Sequence, residues 1–199
     1  DIEKDTLNLD LEKIEKKITK KTKAIMIVNF NGRTTNMKHL NEIAKKYDLK
    51  LIEDAAHSLG SYYKNTHQGT NSDVGVFSFS TPKIITTGQG GMIVTNNKNI
   101  YEKCLSLKDF GRESGAKKDM KKSFMHETVG YNFKFTEMQA VIGIAQMRKL
   151  EWRVKRKKQI YALYSECLGN TDEIRLFGHN LEFTSPWFID SLAVDRENL

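Results

Sequence analysis

Four side chains in the first half of this chain are of kinds that do chemistry: Asp54, His57, Ser78 and Lys83. Lys83 follows a short apolar run at 76–79, which breaks at Pro82 and continues into Thr86-Thr87-Gly88-Gln89-Gly90-Gly91. An apolar run bounded by Pro and Gly reads as a buried strand ending in a loop. Lysine is an unusual choice there unless its amine has a task. Burial lowers a lysine pKa and leaves more of the neutral, nucleophilic amine that imine chemistry requires. The plain alternative is a lysine that reaches back to solvent. Asp54 and Glu53 close a second apolar run, in Ile52-Glu53-Asp54-Ala55-Ala56-His57. Acids at the carboxyl ends of α/β strands stand where ligands bind. Asp54 suits a cationic group such as a protonated pyridine nitrogen, or else caps the turn that follows. His57 is either a hydrogen-bonded structural imidazole or a site residue.

Ser78 points away from Phe77 and Phe79 on a strand, so its hydroxyl either meets an anion in the same pocket or bonds the neighbouring backbone. The Gly88-Gln89-Gly90-Gly91 turn lacks the lysine and Ser/Thr of a P-loop and precedes a strand, so it reads as backbone passing close to a cofactor. Gly60, Gly69 and Gly75 read as turn residues. Together, an amine, a carboxylate, an imidazole and a hydroxyl match what pyridoxal phosphate needs: an imine-forming lysine, a carboxylate for the pyridinium nitrogen and hydroxyl contacts for the phosphate.

The elements that must position these groups alternate. Asp10 caps an expected helix to about Lys20, with Leu11, Ile14 and Ile18 on one stripe. A strand at 24–28 is uniformly apolar, which predicts helices on both faces of its sheet. Helical spacing at 37–47 and a strand at 49–52 complete a βαβ unit. Strands at 74–79 and 92–94 follow, then a helix at 98–108 with Ile100, Cys104, Leu105 and Leu107 facing inward. An irregular charged stretch covers 111–135, and Thr136-Glu137-Met138-Gln139 is a capping box opening one long helix to about Leu168. Its basic run from Arg148 to Lys158 reads as an exposed face rather than a nucleic-acid surface. A last strand is expected at 186–189. The reading is α/β, a mixed and mostly parallel sheet between helices, with residues 1–168 as a large domain and 169–199 as the start of a smaller one.

Composition narrows the function classes. A hydrophobic fraction of 39% over 199 residues supports a packed core. The formal charge of +7 comes from 32 basic residues facing 25 acidic ones, with the excess in two helical stretches rather than one aromatic-lined patch. This favours no nucleic-acid partner, and attraction of an anionic substrate is the second account. The two cysteines, Cys104 and Cys167, lack metal-ligand spacing and suggest a reduced, cytoplasmic protein without a metal. No apolar run approaches the roughly 20 residues that cross a bilayer, so no membrane partner is expected. The chain starts without Met, and 188–199 read as a strand and loop cut short, so a fragment is expected.

Glu53-Asp54-Ala55-Ala56-His57, Phe77-Ser78-Phe79-Ser80-Thr81-Pro82-Lys83 with its Gly-rich turn, and Gly130-Tyr131-Asn132-Phe133 together resemble the DegT/DnrJ/EryC1/StrS sugar aminotransferases, over about residues 5 to 190. Asn29-Phe30-Asn31-Gly32-Arg33 resembles the branch that makes GDP-perosamine. The resemblance implies the aspartate-aminotransferase-like fold type I of pyridoxal-phosphate enzymes and a homodimer with shared active sites. It implies an amino-acid donor, glutamate in most of the family, and a nucleotide-linked 4-keto-6-deoxy sugar acceptor. By motif position it makes Lys83 the Schiff-base lysine and places Asp54 at the pyridine nitrogen, His57 at the ring oxygen and Ser78 at the phosphate. Asn132, from its own sequence only a turn residue, is implied to reach the phosphate of the partner's cofactor. The family's N-terminal phosphate cradle, its ring-stacking aromatic and most of its C-terminal domain have no counterpart here. The alternatives are the family's dehydratase branch, in which His replaces this lysine, and a non-catalytic sugar- or cofactor-binding regulator.

Overall fold

A computed structural model describes residues 1–112, 125–169 and 171–193 of the chain. The expected irregular stretch therefore lies partly outside the described residues, as do the last six positions. Strand β1 (Ala24–Val28), helix α1 (Met37–Lys46) and strand β2 (Lys50–Asp54) form the βαβ unit, with β1 and β2 parallel. A small antiparallel pair, β3 (Tyr62–Tyr63) and β4 (Thr66–His67), precedes β5 (Val74–Ser78), which adds in parallel to β2. β6 (Gly91–Val94) then pairs antiparallel with β5. The main sheet has the order β1-β2-β5-β6. Helix α2 (Lys98–Lys108) follows, with Ile100, Cys104, Leu105 and Leu107 half-buried.

Strand register sorts the side chains into two faces. Ile25, Ile27, Leu51, Glu53 and Phe77 point to one side and are buried, and Met37, Leu40, Ile43 and Ala44 of α1 lie in the same core as the strand aliphatics. Asp54, Val76 and Ser78 point to the other. On that second face Met26 is 63% and Ile93 52% exposed, so among the described residues no helix covers the outer strands there, contrary to what the uniform apolarity of β1 predicts. Burial alternates fully along β1, so this outer strand is packed on one face only among the described residues, whereas the second face of β2 and β5 is mostly half-buried.

Three other expectations change. In place of a helix from Asp10 to Lys20 there are two 3₁₀ turns, Leu11–Lys13 and Glu15–Lys17. Asp10 does cap the first, accepting from the Glu12 N–H. Like charges four apart, Lys13 with Lys17 and Lys16 with Lys20, oppose a continuous helix. The Thr19 and Thr22 hydroxyls bond nearby backbone N–H groups instead. The long helix opens on the expected capping box at Thr136 but is two helices, α3 (Glu137–Met147) and α4 (Leu150–Leu168), parted at Arg148 and Lys149. The basic run is not uniformly solvated, because Arg153 donates to the Ile84 carbonyl and Lys157 to the Trp187 carbonyl. Finally, 186–189 is not a strand: β7 (Ile174–Leu176) and β8 (Ser191–Ala193) flank it as an antiparallel pair. Among the described residues no helix is long and apolar enough to cross a membrane.

Candidate functional site

The parallel strands β1, β2 and β5 end on one edge of the sheet, and β6 begins there, with Gly91 opposite Ser78. Ligands of α/β sheets bind outside such an edge. Glu53 and Asp54, adjacent in sequence, take opposite faces. Glu53 is fully buried, and its carboxylate accepts from Asn29 Nδ2, the Gly69 N–H and the Asn71 N–H at 2.7–3.0 Å. It ties the loop before β5 to the sheet. Gly75 belongs to the same arrangement and is a strand residue, not a turn: a Cβ there would lie 1.7 Å from the Gly69 carbonyl oxygen. Asp54 emerges on the site face. Its Oδ1 accepts from the Ala56 N–H at 3.0 Å, the local turn bond that was the plain alternative, and its Oδ2 has no hydrogen-bond partner among the described residues.

Lys83 sits on the loop between β5 and β6. The Phe79 carbonyl accepts from the Thr87 N–H and the Thr86 hydroxyl, and the Phe79 N–H donates to the Gly90 carbonyl, so the loop closes on itself just past the strand. Gly90 has φ 146°, and a Cβ there would strike the Phe135 ring at 2.5 Å. Burial lowers the Lys83 amine below its usual lysine range, opposed in part by the negative charge of Asp54. The two charges feel each other yet do not close into an ion pair among the described residues. The Lys83 amine lies instead over the Trp187 indole, 4.0 Å from its centroid.

His57 completes the group. Burial holds its imidazole at about 4, below its ordinary 6.5; the Lys83 charge pushes the same way and Asp54 opposes it. Its Nδ1 faces the Asn31 N–H at 3.4 Å, so the neutral ring carries its proton on Nε2. It packs against Trp187 at 4.0 Å between centroids, with the rings tilted by 35°. Ser78 is half-buried at the end of β5, and its hydroxyl is engaged locally, with the Ser80 hydroxyl at 3.0 Å and the Ser80 N–H at 3.3 Å. Asn132 stands apart. It is exposed, bridged through its backbone to Asp109 beyond α2, and no hydrogen bond, ion pair or ring contact among the described residues joins it to the other four.

Two site residues escaped the sequence reading. Trp187 arrives from a segment 104 positions after Lys83. Asn31, buried with φ 52°, holds that segment: its Oδ1 accepts from the Trp187 and Phe188 N–H groups, and its Nδ2 donates to the Phe188 carbonyl and to Asp190. A left-handed Asn in a Phe-Asn-Gly turn was the available signal, but nothing local reveals what it holds.

The residues present suit pyridoxal phosphate. A depressed amine and a carboxylate with one free oxygen interact without pairing, beside an imidazole N–H and a Ser- and Gly-bearing loop, which is the donor set that group calls for.

The sequence pattern of the DegT/DnrJ/EryC1/StrS aminotransferase family matches residues 1–198. The chain is 36% identical over 202 residues to GDP-perosamine synthase of Escherichia coli O157:H7, covering 100% of this chain and 54% of that protein. It superposes on E. coli GDP-4-keto-6-deoxy-D-mannose-3-dehydratase with bound hydrated PLP at a TM-score of 0.86 and 27% identity, covering 100% of this chain and 54% of that one. On Helicobacter pylori PseC, an aminotransferase of pseudaminic acid biosynthesis, the TM-score is 0.84 at 28% identity, with 98% of this chain and 52% of that one covered. The chain thus spans about half the length of the relatives it matches.

Proposed function

Since the chain belongs to the DegT/DnrJ/EryC1/StrS aminotransferase family, we propose that it works as a pyridoxal-phosphate-dependent sugar aminotransferase. It takes an amino group from an amino acid, glutamate as the first choice, and gives it to a nucleotide-linked 4-keto-6-deoxy sugar, as GDP-perosamine synthase does by name. We read 169–199 as the start of a smaller domain and the working enzyme as a homodimer, with Asn132 serving the partner's site. The carrying observation is that Asp54, at the end of β2, and Lys83, on the loop leaving the neighbouring β5, stand at one edge of the sheet without an ion pair between them among the described residues.

When bound, the cofactor supplies the carbonyl that captures the amine and the ring that takes up electrons from the substrate carbon. The chain's residues do the rest. Lys83 would be the attachment point, and its freed Nζ would take the proton from the donor carbon as general base and deliver it to the cofactor side as general acid. The Asp54 carboxylate, turned by the Ala56 N–H, offers Oδ2 to the positive ring nitrogen. Neutral His57 would offer its Nε2–H to the cofactor's ring oxygen. Ser78, now bonded to Ser80, would hold the phosphate, with Ser80 as a second hydroxyl.

The dehydratase reading fits the fold equally, since dehydratases are among the superposing structures. A primary amine at position 83 favours transamination, because an imidazole there could not form the covalent attachment.

The test is a visible-absorbance scan with pyridoxal phosphate before and after borohydride reduction, followed by glutamate-dependent amination of a panel of nucleotide keto-sugars. Lys83→Ala should lose the reducible band and, as a general acid–base residue, about 10²–10⁴-fold in turnover. A Lys83→Ala protein that still attached the cofactor covalently and turned over at the parent rate ends the proposal.

A further inference from the structure

Trp187 is held from three directions by three separate elements. Its backbone N–H donates to Asn31 Oδ1 at 2.7 Å, in the loop after β1. Its carbonyl accepts from Lys157 Nζ of α4 at 2.5 Å. Its indole Nε1–H donates to the Pro82 carbonyl at 2.8 Å. Anchors of this kind fix the plane of the ring, not merely the path of the chain. Packing alone would not need the indole N–H to be spent on the residue immediately before Lys83.

The ring then grips that lysine twice. Its edge holds the peptide preceding Lys83, and its face lies 4.0 Å from the Lys83 nitrogen. A lysine stem is flexible and its ammonium readily rotates. An aromatic face attracts the cationic form and packs against the methylenes leading to it. The same indole packs against His57, tilted by 35°, which keeps solvent from one side of the imidazole.

We infer that Trp187 is a positioning residue for the Lys83 amine, aiming it across the sheet edge toward the Asp54 side before a carbonyl arrives. The inference rests on the reading of Lys83 as the imine-forming group. Trp187 itself exchanges no proton and forms no bond in the reaction. Its effect is to shorten the search of the lysine side chain for its reactive orientation.

Two measurements on the full chain test it. The sequence has two tryptophans, so Trp152→Phe on the exposed part of α4 leaves Trp187 as the sole emitter. In that background Lys83→Met should raise the emission, because a contacting ammonium quenches an excited indole; unchanged emission overturns the contact. In stopped flow with pyridoxal 5′-phosphate, Trp187→Ala should slow appearance of the visible band about tenfold, with Trp187→Phe intermediate because it keeps a ring face and loses the N–H. Equal rates in all three proteins overturn the positioning role. Circular dichroism reports folding, and if Trp187→Ala does not fold, Trp187→Phe alone carries the rate comparison. If the unsubstituted protein forms no band, the reading of Lys83 fails and this role falls with it. If the band forms and the substitutions change nothing, the functional reading stands and only Trp187's role is lost.

Discussion

At the scale of single residues, the pair Glu53–Asp54 shows how one peptide bond separates a buried acid from one at the sheet edge. Strand alternation sends Glu53 into the core, where three N–H donors meet it, and Asp54 out to the sheet edge. Glu53→Gln keeps the shape but turns an amide NH₂ toward backbone donors and removes the charge from three bonds. It should cost about 2–3 kcal/mol, read as a lower urea midpoint. The placement of Asp54 and Lys83 at the sheet edge was legible in the sequence because each follows an apolar strand, and strand ends in α/β folds gather at one edge. His57 came with Asp54, one short turn away. Trp187 was not legible, since its contacts with His57, Pro82 and Lys83 all cross more than 100 positions and depend on where the last third of the chain folds back. For Ser78 the sequence left two partners open, and the structure shows the local one.

Among elements, β1, α1, β2, β5 and α2 followed from apolar periodicity, and the α3 start from its capping box. Elements whose limits depend on charge repulsion or on long-range anchors did not. The N-terminal 3₁₀ turns and the α3–α4 break both fall in lysine- and arginine-rich runs. The segment from β7 to β8 is fastened to the loop after β1 by a buried pair: Arg33 meets both Asp190 oxygens at 2.6–2.7 Å and donates to the Gly178 and Phe177 carbonyls. Both side chains are under 10% exposed. Arg33→Met strands the Asp190 carboxylate in the core and should cost about 3–5 kcal/mol in chemical denaturation. Adding Asp190→Leu should recover part of that loss, because removing both charges relieves the unpaired one. The Asn31 bonds to Trp187 link this fastening to the site, so Arg33→Met should also weaken the Trp187 emission response described above.

Across the whole molecule, two histidines contribute to the response to acid. His179 has a fully buried side chain, and burial together with the nearby Arg33 charge lowers it to about 4 against the attraction of Asp190. His57 is lowered to a similar value. A histidine with a depressed folded pKa contributes stability that is present above its unfolded pKa of 6.5 and is lost as pH falls through its folded pKa, because the unfolded chain takes up the proton first. Thermal midpoints should therefore drop as pH falls from about 6.5 to about 4, and His179→Gln should flatten part of that slope. The main sheet carries a different consequence. Among the described residues β1 and β6 are its outermost strands, so each has one side whose backbone amides and carbonyls no described strand pairs, and Met26 and Ile93 are exposed on the second face of these strands. Such margins are adhesive templates for any passing extended peptide. Keeping this polypeptide dispersed in a test tube is thus a matter of blunting two rims, by a lysine at position 26 or by dilution, more than of tuning its +7 charge.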